Sequence, residues 1–155
     1  MNCFEIEYQT KTADYDSIVE HLSRAATSFN PPLDSYIDIE KYAQKINEYA
    51  ITFEAWHENK LVGLAAVYYN DQDSKIGFCT NLSVLEKYQG LSIGKRLMND
   101  AIKYGIELGF TKLNLEAKII NENAISFYEK LGFFQAGINN NCYILSLELN
   151  SGIYS

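Results

Sequence analysis

The chain has 155 residues and a mass of 17.7 kDa, the usual size of one domain, so we expect a single domain over residues 1–155. Hydrophobic residues make up 47% and charged residues 21%, which excludes the compositions that stay disordered. The formal net charge of −7 argues against a nucleic-acid partner, because such proteins need a basic face. A negative field favours a cationic acceptor such as an amine, or serves solubility alone.

Cysteine usage and hydropathy give the expected compartment. The three cysteines, Cys3, Cys79 and Cys142, lack the paired spacing of disulfide frameworks or metal sites, so we expect reduced thiols and no metal. The first residues show no basic segment followed by an apolar stretch, and the longest apolar run, Leu61–Tyr69, is too short to span a bilayer. We therefore predict a cytoplasmic protein with no membrane partner.

The first half of the chain predicts strands around two helices. A strand near residues 2–8 is indicated by alternating Phe4, Ile6 and Tyr8. Asp14 and Asp38 each precede a run with helical spacing, so each is expected to cap a helix, the first ending before Asn30-Pro31-Pro32. Two β-rich runs should then form an antiparallel hairpin: Ile51–His57 and Leu61–Tyr69, joined by Glu58-Asn59-Lys60.

The second half predicts a strand, a central helix and a β-rich end. A strand at Ile76–Val84 completes a three-strand meander. The central helix follows Gly90 and stops at Gly109, with a predicted buried face of Ile93, Leu97, Ala101, Tyr104 and Leu108. The last predicted elements are a strand at Leu113 and Leu115, a helix at Asn123–Leu131 ended by Gly132, and strands Phe133–Ile138 and Tyr143–Leu149 around an asparagine turn.

The segment from Gln89 to Arg96, between the third meander strand and the central helix, is rich in small residues. Small side chains at positions 90, 92 and 94 let a phosphate approach the main chain, and the N–H groups and dipole of a helix N-terminus attract anions. Lys95 or Arg96 can add a charge. The segment predicts a pyrophosphate site, with a tight turn that binds nothing as the alternative.

Two segments resemble the GNAT (GCN5-related N-acetyltransferase) superfamily. Its signature is Gln or Arg, two residues, Gly or Ala, one residue, Gly or Ala, and Gln89, Ser92 and Gly94 match it with serine at the middle small position. The segment Leu115–Phe133 resembles the family's strand 5, helix 4 and the start of strand 6. The resemblance, which covers about residues 50–149, implies an α/β fold with a mixed, bent sheet of about seven strands and four helices, strands 4 and 5 splaying around the cofactor.

The resemblance also implies acetyl-coenzyme A as the co-substrate and no metal. Its pantetheine arm would pair with the main chain of strand 4 like a missing strand. Asn121 matches an asparagine that contacts the pantetheine or acetyl region, and it is also placed to cap the following helix. The residues expected to bind the co-substrate are Leu82, Ser83, Val84, Gln89, Gly90, Leu91, Ser92, Ile93, Gly94, Lys95, Asn121 and Tyr128.

Two residues are candidates for catalysis by the same resemblance. Tyr128 matches the tyrosine that faces the thioester sulfur and acts as general acid, with a core aromatic as the alternative. A free thiol has a pKa of about 8.5 and tyrosine about 10, so full proton transfer is uphill by roughly 2 kcal/mol and a strong hydrogen bond is sufficient. Glu116 lies where some family members that acetylate protein N-termini carry a catalytic glutamate, with a solvated or structural carboxylate as the alternative.

Other polar and aromatic residues have simpler interpretations. His21 and His57 have no partner at ligand spacing and are expected at the surface or in packing. Cys79 is expected to be a small hydrophobe, which favours direct transfer over covalent catalysis. The aromatic residues that could line an acceptor pocket, with core packing as the alternative, are Phe29, Tyr36, Tyr68 and Tyr69.

The sequence therefore predicts an acetyl-coenzyme A-dependent N-acetyltransferase. The acceptor would be a primary amine of a small molecule (amino sugar, amino acid or polyamine) or the N-terminus or a lysine of a protein. The alternative is a non-catalytic coenzyme A-binding or sensory module with the same fold. Family analogy further suggests a homodimer formed through the C-terminal strands.

Overall fold

The first two helices begin where the sequence predicts them. The computed structural model describes residues 5–29 and 31–150. Ser17 N–H donates to Asp14 Oδ1 at 2.8 Å at the start of α1 (Tyr15–Ala25). Lys41 N–H donates to Asp38 Oδ1 at 3.3 Å at the start of α2 (Ile39–Tyr49). Both predicted caps are confirmed, and each carboxylate also meets the positive end of its helix dipole.

The other elements follow the predicted order. The helices are α3 (Ile93–Glu107) and α4 (Glu122–Lys130), and single 3₁₀ turns lie at Ala26–Ser28, Leu33–Ser35 and Glu86–Tyr88. The strands are β1 (Glu7–Thr10), β2 (Ile51–His57), β3 (Lys60–Tyr68), β4 (Ile76–Val84), β5 (Lys112–Lys118), β6 (Phe134–Asn139) and β7 (Cys142–Glu148). Within the described ranges, no helix combines the length and apolarity needed to cross a membrane.

Two predicted boundaries need correction. The first strand was expected near residues 2–8, but β1 is set by its pairing with β2, from Glu7 opposite Trp56 to Thr10 opposite Phe53. Phe4, which contributed to that prediction, lies outside the described residues. Leu108 was expected on the buried face of α3 but is 43% exposed, because the helix ends one residue earlier, at Glu107.

The seven strands of the described chain form one mixed sheet in the order β1-β2-β3-β4-β5-β7-β6. β2 and β3 pair antiparallel, and the turn between them places Glu58 at φ 49° and Asn59 at φ 63°. Two left-handed residues are what a type I′ two-residue hairpin turn requires. β4 and β5 are parallel, so the sheet is mixed and the predicted α/β class is confirmed.

The chain packs as two compact units, and the first contains the described residues up to Val67 together with Asn81–Ala101. Its two N-terminal helices each turn one apolar stripe inward, as their sequence periodicity predicts. The core that results combines α1, α2, the turns between them and β3: Ile18, Leu22, Ala26, Leu33, Ala43, Ile46, Leu61, Leu64 and Ala66.

A buried carboxylate joins β2 to the segment that precedes α1. Glu54 is 0% exposed, and its carboxylate accepts hydrogen bonds from Thr12 N–H (2.9 Å), Ala13 N–H (3.0 Å), the Thr52 hydroxyl (2.6 Å) and Trp56 Nε1–H (3.0 Å). Burial raises the pKa of Glu54, but these hydrogen bonds outweigh it and hold the pKa below its usual value. Glu54 is therefore an ionised structural anchor.

The second unit contains Tyr68–Thr80 and the described residues from Ile102 onward, and Tyr69 lies in its core. The Tyr69 ring meets Phe110 edge-on at 4.9 Å and stacks on Tyr104 at 6.4 Å. Gly105 gives the phenol its space, because a Cβ at that position would lie 2.5 Å from the Tyr69 hydroxyl oxygen. Of the two interpretations of Tyr69, the structure favours core packing over an acceptor pocket.

Candidate active site

The loop before α3 places two residues in the left-handed region, Gly90 at φ 84° and Ser92 at φ 62°. Ser92 is an uncommon residue for this conformation, and such backbone strain is concentrated at functional sites. Arg96 N–H donates to Ser92 O at 3.1 Å, which is the first hydrogen bond of the helix. The N–H groups of the first helical turn therefore have no acceptor within the helix, and left-handed residues beside such groups are typical of anion-binding concavities in proteins.

The side chains of two residues, Tyr88 and Gln89, hold the start of this loop in place. Gln89 Nε2–H donates to Val84 O at 3.0 Å and so links the loop to the end of β4. Tyr88 is buried, and its ring lies 5.5 Å from the ring of His57. Gln89, which was predicted to bind the co-substrate, thus uses its amide to hold the loop against β4.

Ile93, the first residue of α3, is 2% exposed, so its side chain belongs to the core and it offers a ligand only its main chain. Gly63 on β3 permits the close approach of the helix, because a Cβ there would lie 2.8 Å from Ile93 Cγ2. Lys95 is exposed and Gly94 half-buried. The predicted pyrophosphate loop therefore combines main-chain donors with the exposed ammonium of Lys95. Arg96 is also exposed, but its guanidinium pairs with Asp100, with Nε 3.1 Å from Oδ2.

The end of β4 presents two different faces. Ser83 is buried, with its Oγ 2.8 Å from His21 Nε2 and 3.0 Å from Asn81 Nδ2. Leu82 and Val84 alternate with it and are half-buried on the opposite face. Ser83 was predicted to contact the co-substrate, and the structure leaves only its main chain for that role.

Glu116 and the start of β5 lie in the second unit. The parallel pairing joins Ile76–Phe78 to Lys112–Asn114, the first three residues of each strand. Farther along β5, Glu116 is exposed, and Asn139 Nδ2–H donates to its Oε2 at 3.2 Å. Glu116 is therefore an exposed carboxylate on a strand surface, which is an arrangement compatible with both predicted roles.

Tyr128 lies on α4 between two other aromatic rings. Phe127 is 5.3 Å away and Phe133 5.6 Å away, both edge-on. Desolvation by burial raises the pKa of Tyr128, and the neighbouring Cys79 raises it further. The phenol therefore stays protonated across the working pH range and can donate a hydrogen bond.

Asn121 precedes α4 and occupies its N-cap position. Its carbonyl accepts from Ile125 N–H at 3.1 Å, but its side chain makes no capping hydrogen bond. The predicted capping role of the side chain is therefore wrong. The amide remains one of the polar groups of the second unit that can meet a ligand.

Each of the two units contains some of the predicted site residues. The first holds the strand end at Leu82–Val84 and the loop with its N–H donors and Lys95, which suit a phosphate. The second holds a neutral phenol, Tyr128, and an uncommitted amide, Asn121, which suit a developing thiolate and a polar arm. Across residues 5–29 and 31–150, no three His, Cys, Asp or Glu side chains are grouped so that they could hold a metal ion.

The profile of the acetyltransferase (GNAT) family matches residues 15–133. The chain belongs to this GNAT family. The match includes the β4 end, the left-handed loop and the α4 segment described above. The GNAT family is one of acyl-coenzyme A-dependent acetyltransferases, so the predicted enzyme class is confirmed.

Relatives of this GNAT chain include enzymes with different acceptors in their names. It is 29% identical over 142 residues to the N-alpha-acetyltransferase MAK3 of Arabidopsis thaliana, which covers 85% of this chain and 75% of the relative. It is 30% identical over 86 residues to the streptothricin acetyltransferase of Streptomyces lavendulae, which covers 56% of this chain and 45% of the relative.

Solved structures show the same fold at low identity. The PaiA N-acetyltransferase of Thermoplasma acidophilum, in complex with coenzyme A, superposes with a TM-score of 0.76 at 18% identity over 93% of this chain and 99% of that one. The ribosomal-protein-S18-alanine N-acetyltransferase of Escherichia coli gives 0.75 at 21% identity over 94% and 95%. These likenesses confirm the predicted GNAT architecture.

Sequence reasoning missed the polar contacts of His21. It was expected at the surface or in simple packing, but it is 1% exposed and both ring nitrogens are hydrogen-bonded. One signal was present in the sequence, because Asn81 and Ser83 fall in the same phase of β4 as buried Cys79. Polar residues in the buried phase of a strand require buried partners.

Proposed function

We propose that this GNAT protein transfers the acetyl group of acetyl-coenzyme A to the N-terminal amine of a protein or peptide. The observation that carries the proposal is the left-handed loop at Gly90 and Ser92 opening α3 within the family match. The acceptor class is supported by the similarity to an N-alpha-acetyltransferase along 85% of the chain. A small amine is the second candidate, supported by the shorter similarity to streptothricin acetyltransferase.

The first unit would bind the co-substrate mainly through main-chain atoms. The N–H groups from Leu91 to Lys95 would hold its pyrophosphate, with the Lys95 ammonium as a further donor. The main chain of Leu82–Val84 would pair with the pantetheine amides as a neighbouring strand does. In the second unit, the side-chain amide of Asn121 would be a further hydrogen-bond donor for the co-substrate.

The transfer forms an amide C–N bond and breaks the thioester C–S bond, while the amine loses a proton and the thiolate gains one. Tyr128 would donate its phenol proton in a hydrogen bond to the departing sulfur, a role for which its raised pKa keeps it in the donor form. Glu116 would receive the amine proton, directly or through water. The co-substrate supplies the activated acetyl group, so the protein's contribution is chiefly orientation and charge stabilisation.

Thiol release in the presence of acetyl-coenzyme A and defined acceptors tests the function. We expect release with peptides that have a free N-terminus and none with the same peptides after N-terminal blocking, even when they contain lysine. Release with polyamines or amino sugars alone would establish the small-amine alternative. Binding of acetyl-coenzyme A without release from any acceptor would establish the non-catalytic module and overturn the proposal.

The base assignment has its own test. Glu116→Gln should lower kcat/KM and alter its dependence on pH, because the general base is removed. Glu148→Gln, at another exposed carboxylate of the same unit, is the matched control and should leave both unchanged. An unchanged pH profile in Glu116→Gln would assign the proton to another group or to water.

A further inference from the structure

A chain of hydrogen-bonded, buried polar side chains links α1, β4 and β3 in the first unit. His21 Nε2 is 2.8 Å from Ser83 Oγ, and Ser83 Oγ is 3.0 Å from Asn81 Nδ2. The chain ends on main-chain carbonyls of β3, with His21 Nδ1 2.9 Å from Leu61 O and Asn81 Nδ2 3.3 Å from Leu64 O. All three side chains are buried.

The directions of these hydrogen bonds follow from chemistry. A carbonyl oxygen can only accept, so the proton of neutral His21 is on Nδ1 and Nε2 is the acceptor. The Ser83 hydroxyl therefore donates to His21 and accepts from the Asn81 amide. Burial lowers the pKa of His21 to about 4, against smaller opposing contributions from Leu61 and Ser83, so the ring is neutral at pH 7.

The Ser83 and His21 pair has the spacing of a nucleophile and its base, but its surroundings exclude that role. His21 donates to a main-chain carbonyl rather than to a carboxylate, and a ring with a pKa of about 4 is a weak base at neutral pH. Both side chains are also buried, so a substrate would have no access to them. Any effect of Ser83 and His21 on the reaction must therefore be indirect, through the main chain that they hold in place.

The Ser83 and His21 pair holds the end of β4, whose main chain at Leu82–Val84 is proposed to bind the co-substrate. Asn81 and Ser83 alternate with Leu82 and Val84 along β4. Hydrogen bonds that hold the side chains of Asn81 and Ser83 on the buried face therefore also set the rotation of the β4 main chain. Both ends of the hydrogen-bonded series lie on β3, at Leu61 O and Leu64 O, and one of its three side chains, His21, comes from α1. The position of β4 is thus tied to a helix and to its neighbouring strand by hydrogen bonds that replace ordinary apolar packing.

We propose that His21, Asn81 and Ser83 are positioning residues that set the main chain of Leu82–Val84 for acetyl-coenzyme A, so that co-substrate affinity depends on a histidine of the first helix. The inference rests on the proposed function. It deepens that function, because it gives three buried side chains a role in co-substrate binding although none of them would contact the co-substrate.

Ser83→Ala tests the proposal, with Ser146→Ala as the matched control. Ser146 is also a buried strand serine, and its hydroxyl donates to Asn114 Oδ1 at 2.6 Å in the second unit. Calorimetric titration should show a five- to tenfold higher Kd for acetyl-coenzyme A in Ser83→Ala, and a Kd within twofold of wild type in Ser146→Ala. Ser83→Thr, which keeps the hydroxyl, should restore most of the affinity.

Two further measurements separate positioning from general destabilisation. Hydrogen exchange without any ligand should be faster at the amides of residues 82–84 in Ser83→Ala, and unchanged there in Ser146→Ala. In steady-state assays the KM for acetyl-coenzyme A should rise while the KM for the acceptor stays constant. His21→Asn, which keeps a donor for Leu61 O but loses the acceptor for Ser83, should reproduce both effects if Ser83→Ala does not fold.

Equal losses of urea stability in the two alanine variants with unchanged Kd and unchanged exchange at residues 82–84 would overturn the inference. A wild-type protein that does not bind acetyl-coenzyme A would overturn the proposed function as well. The exchange measurement distinguishes the two failures, since it reports the order of β4 without any co-substrate.

Discussion

Replacement of Tyr128 by phenylalanine isolates the proposed proton donor. The variant keeps the aromatic ring, and with it the edge-on contacts to Phe127 and Phe133 at 5.3 and 5.6 Å. Only the hydroxyl is removed, so we expect little change in the free energy of unfolding. A change in turnover then reports the hydrogen bond to the leaving sulfur.

The size of the effect follows from the strength of that bond. A hydrogen bond to a charged group contributes about 1.5–3 kcal/mol, which corresponds to a roughly 10- to 150-fold fall in kcat. The KM for acetyl-coenzyme A should change little, because the thioester sulfur carries no charge before transfer. Full proton transfer is disfavoured further than in solution, since burial raises the pKa of Tyr128 above its usual value of 10.

The same shift predicts the pH dependence. The phenol donates below its pKa, so a raised pKa extends the active range upward, and the wild-type kcat should show no loss from Tyr128 ionisation up to pH 10. The assay is thiol release at saturating substrates from pH 7 to 10. Tyr104→Phe, at another half-buried tyrosine of the same unit, is the control and should keep its kcat within about twofold. Full turnover in Tyr128→Phe would refute the donor role.

Three further predictions concern stability and are measured by urea denaturation. Gly105→Ala places a Cβ 2.5 Å from the Tyr69 hydroxyl oxygen and should lower the free energy of unfolding by about 1–3 kcal/mol; an unchanged midpoint would contradict the packing. Glu54→Gln removes charge-assisted bonds and should cost about 2 kcal/mol at pH 7, whereas the same change at the exposed Glu148, Glu148→Gln, should leave the free energy of unfolding within about 0.5 kcal/mol of wild type. The wild type should lose stability in acid. As the pH falls from 6.5 to about 4, the burial of His21 should lower the free energy of unfolding by up to about 3 kcal/mol, because the ring binds its proton first in the unfolded state. The Glu54 contribution is lost below pH 4.5 as pH falls through its lowered folded pKa. His21→Asn should flatten the upper part of this profile.

Much of the fold could be predicted because its signals are local. Asp14 and Asp38 cap helices through hydrogen bonds only three residues away, so a short window of sequence contains the whole interaction. The β2–β3 hairpin is similarly determined by its turn. The loop signature is local for the same reason, since Gln89, Ser92 and Gly94 lie within six residues, and its role in binding the co-substrate stays a prediction.

The rest depended on contacts that are distant in sequence. His21 and Ser83 are separated by 62 positions, and no pattern within either segment specifies the other. Glu54 likewise meets Thr12 and Ala13 more than 40 positions away. The burial of such polar residues could not be predicted, because it becomes favourable only when the distant hydrogen-bond partner is present.

Calorimetric titration with acetyl-coenzyme A tests the central claim most directly, that this GNAT chain uses its left-handed loop to bind an acyl-coenzyme A substrate. The account predicts saturable binding with a Kd between about 1 μM and 1 mM, weakened at least tenfold in Gly90→Val, because a β-branched residue does not tolerate φ 84°. Wild-type protein that shows no binding at millimolar acetyl-coenzyme A, or a Gly90→Val variant that binds as tightly as wild type, would contradict it.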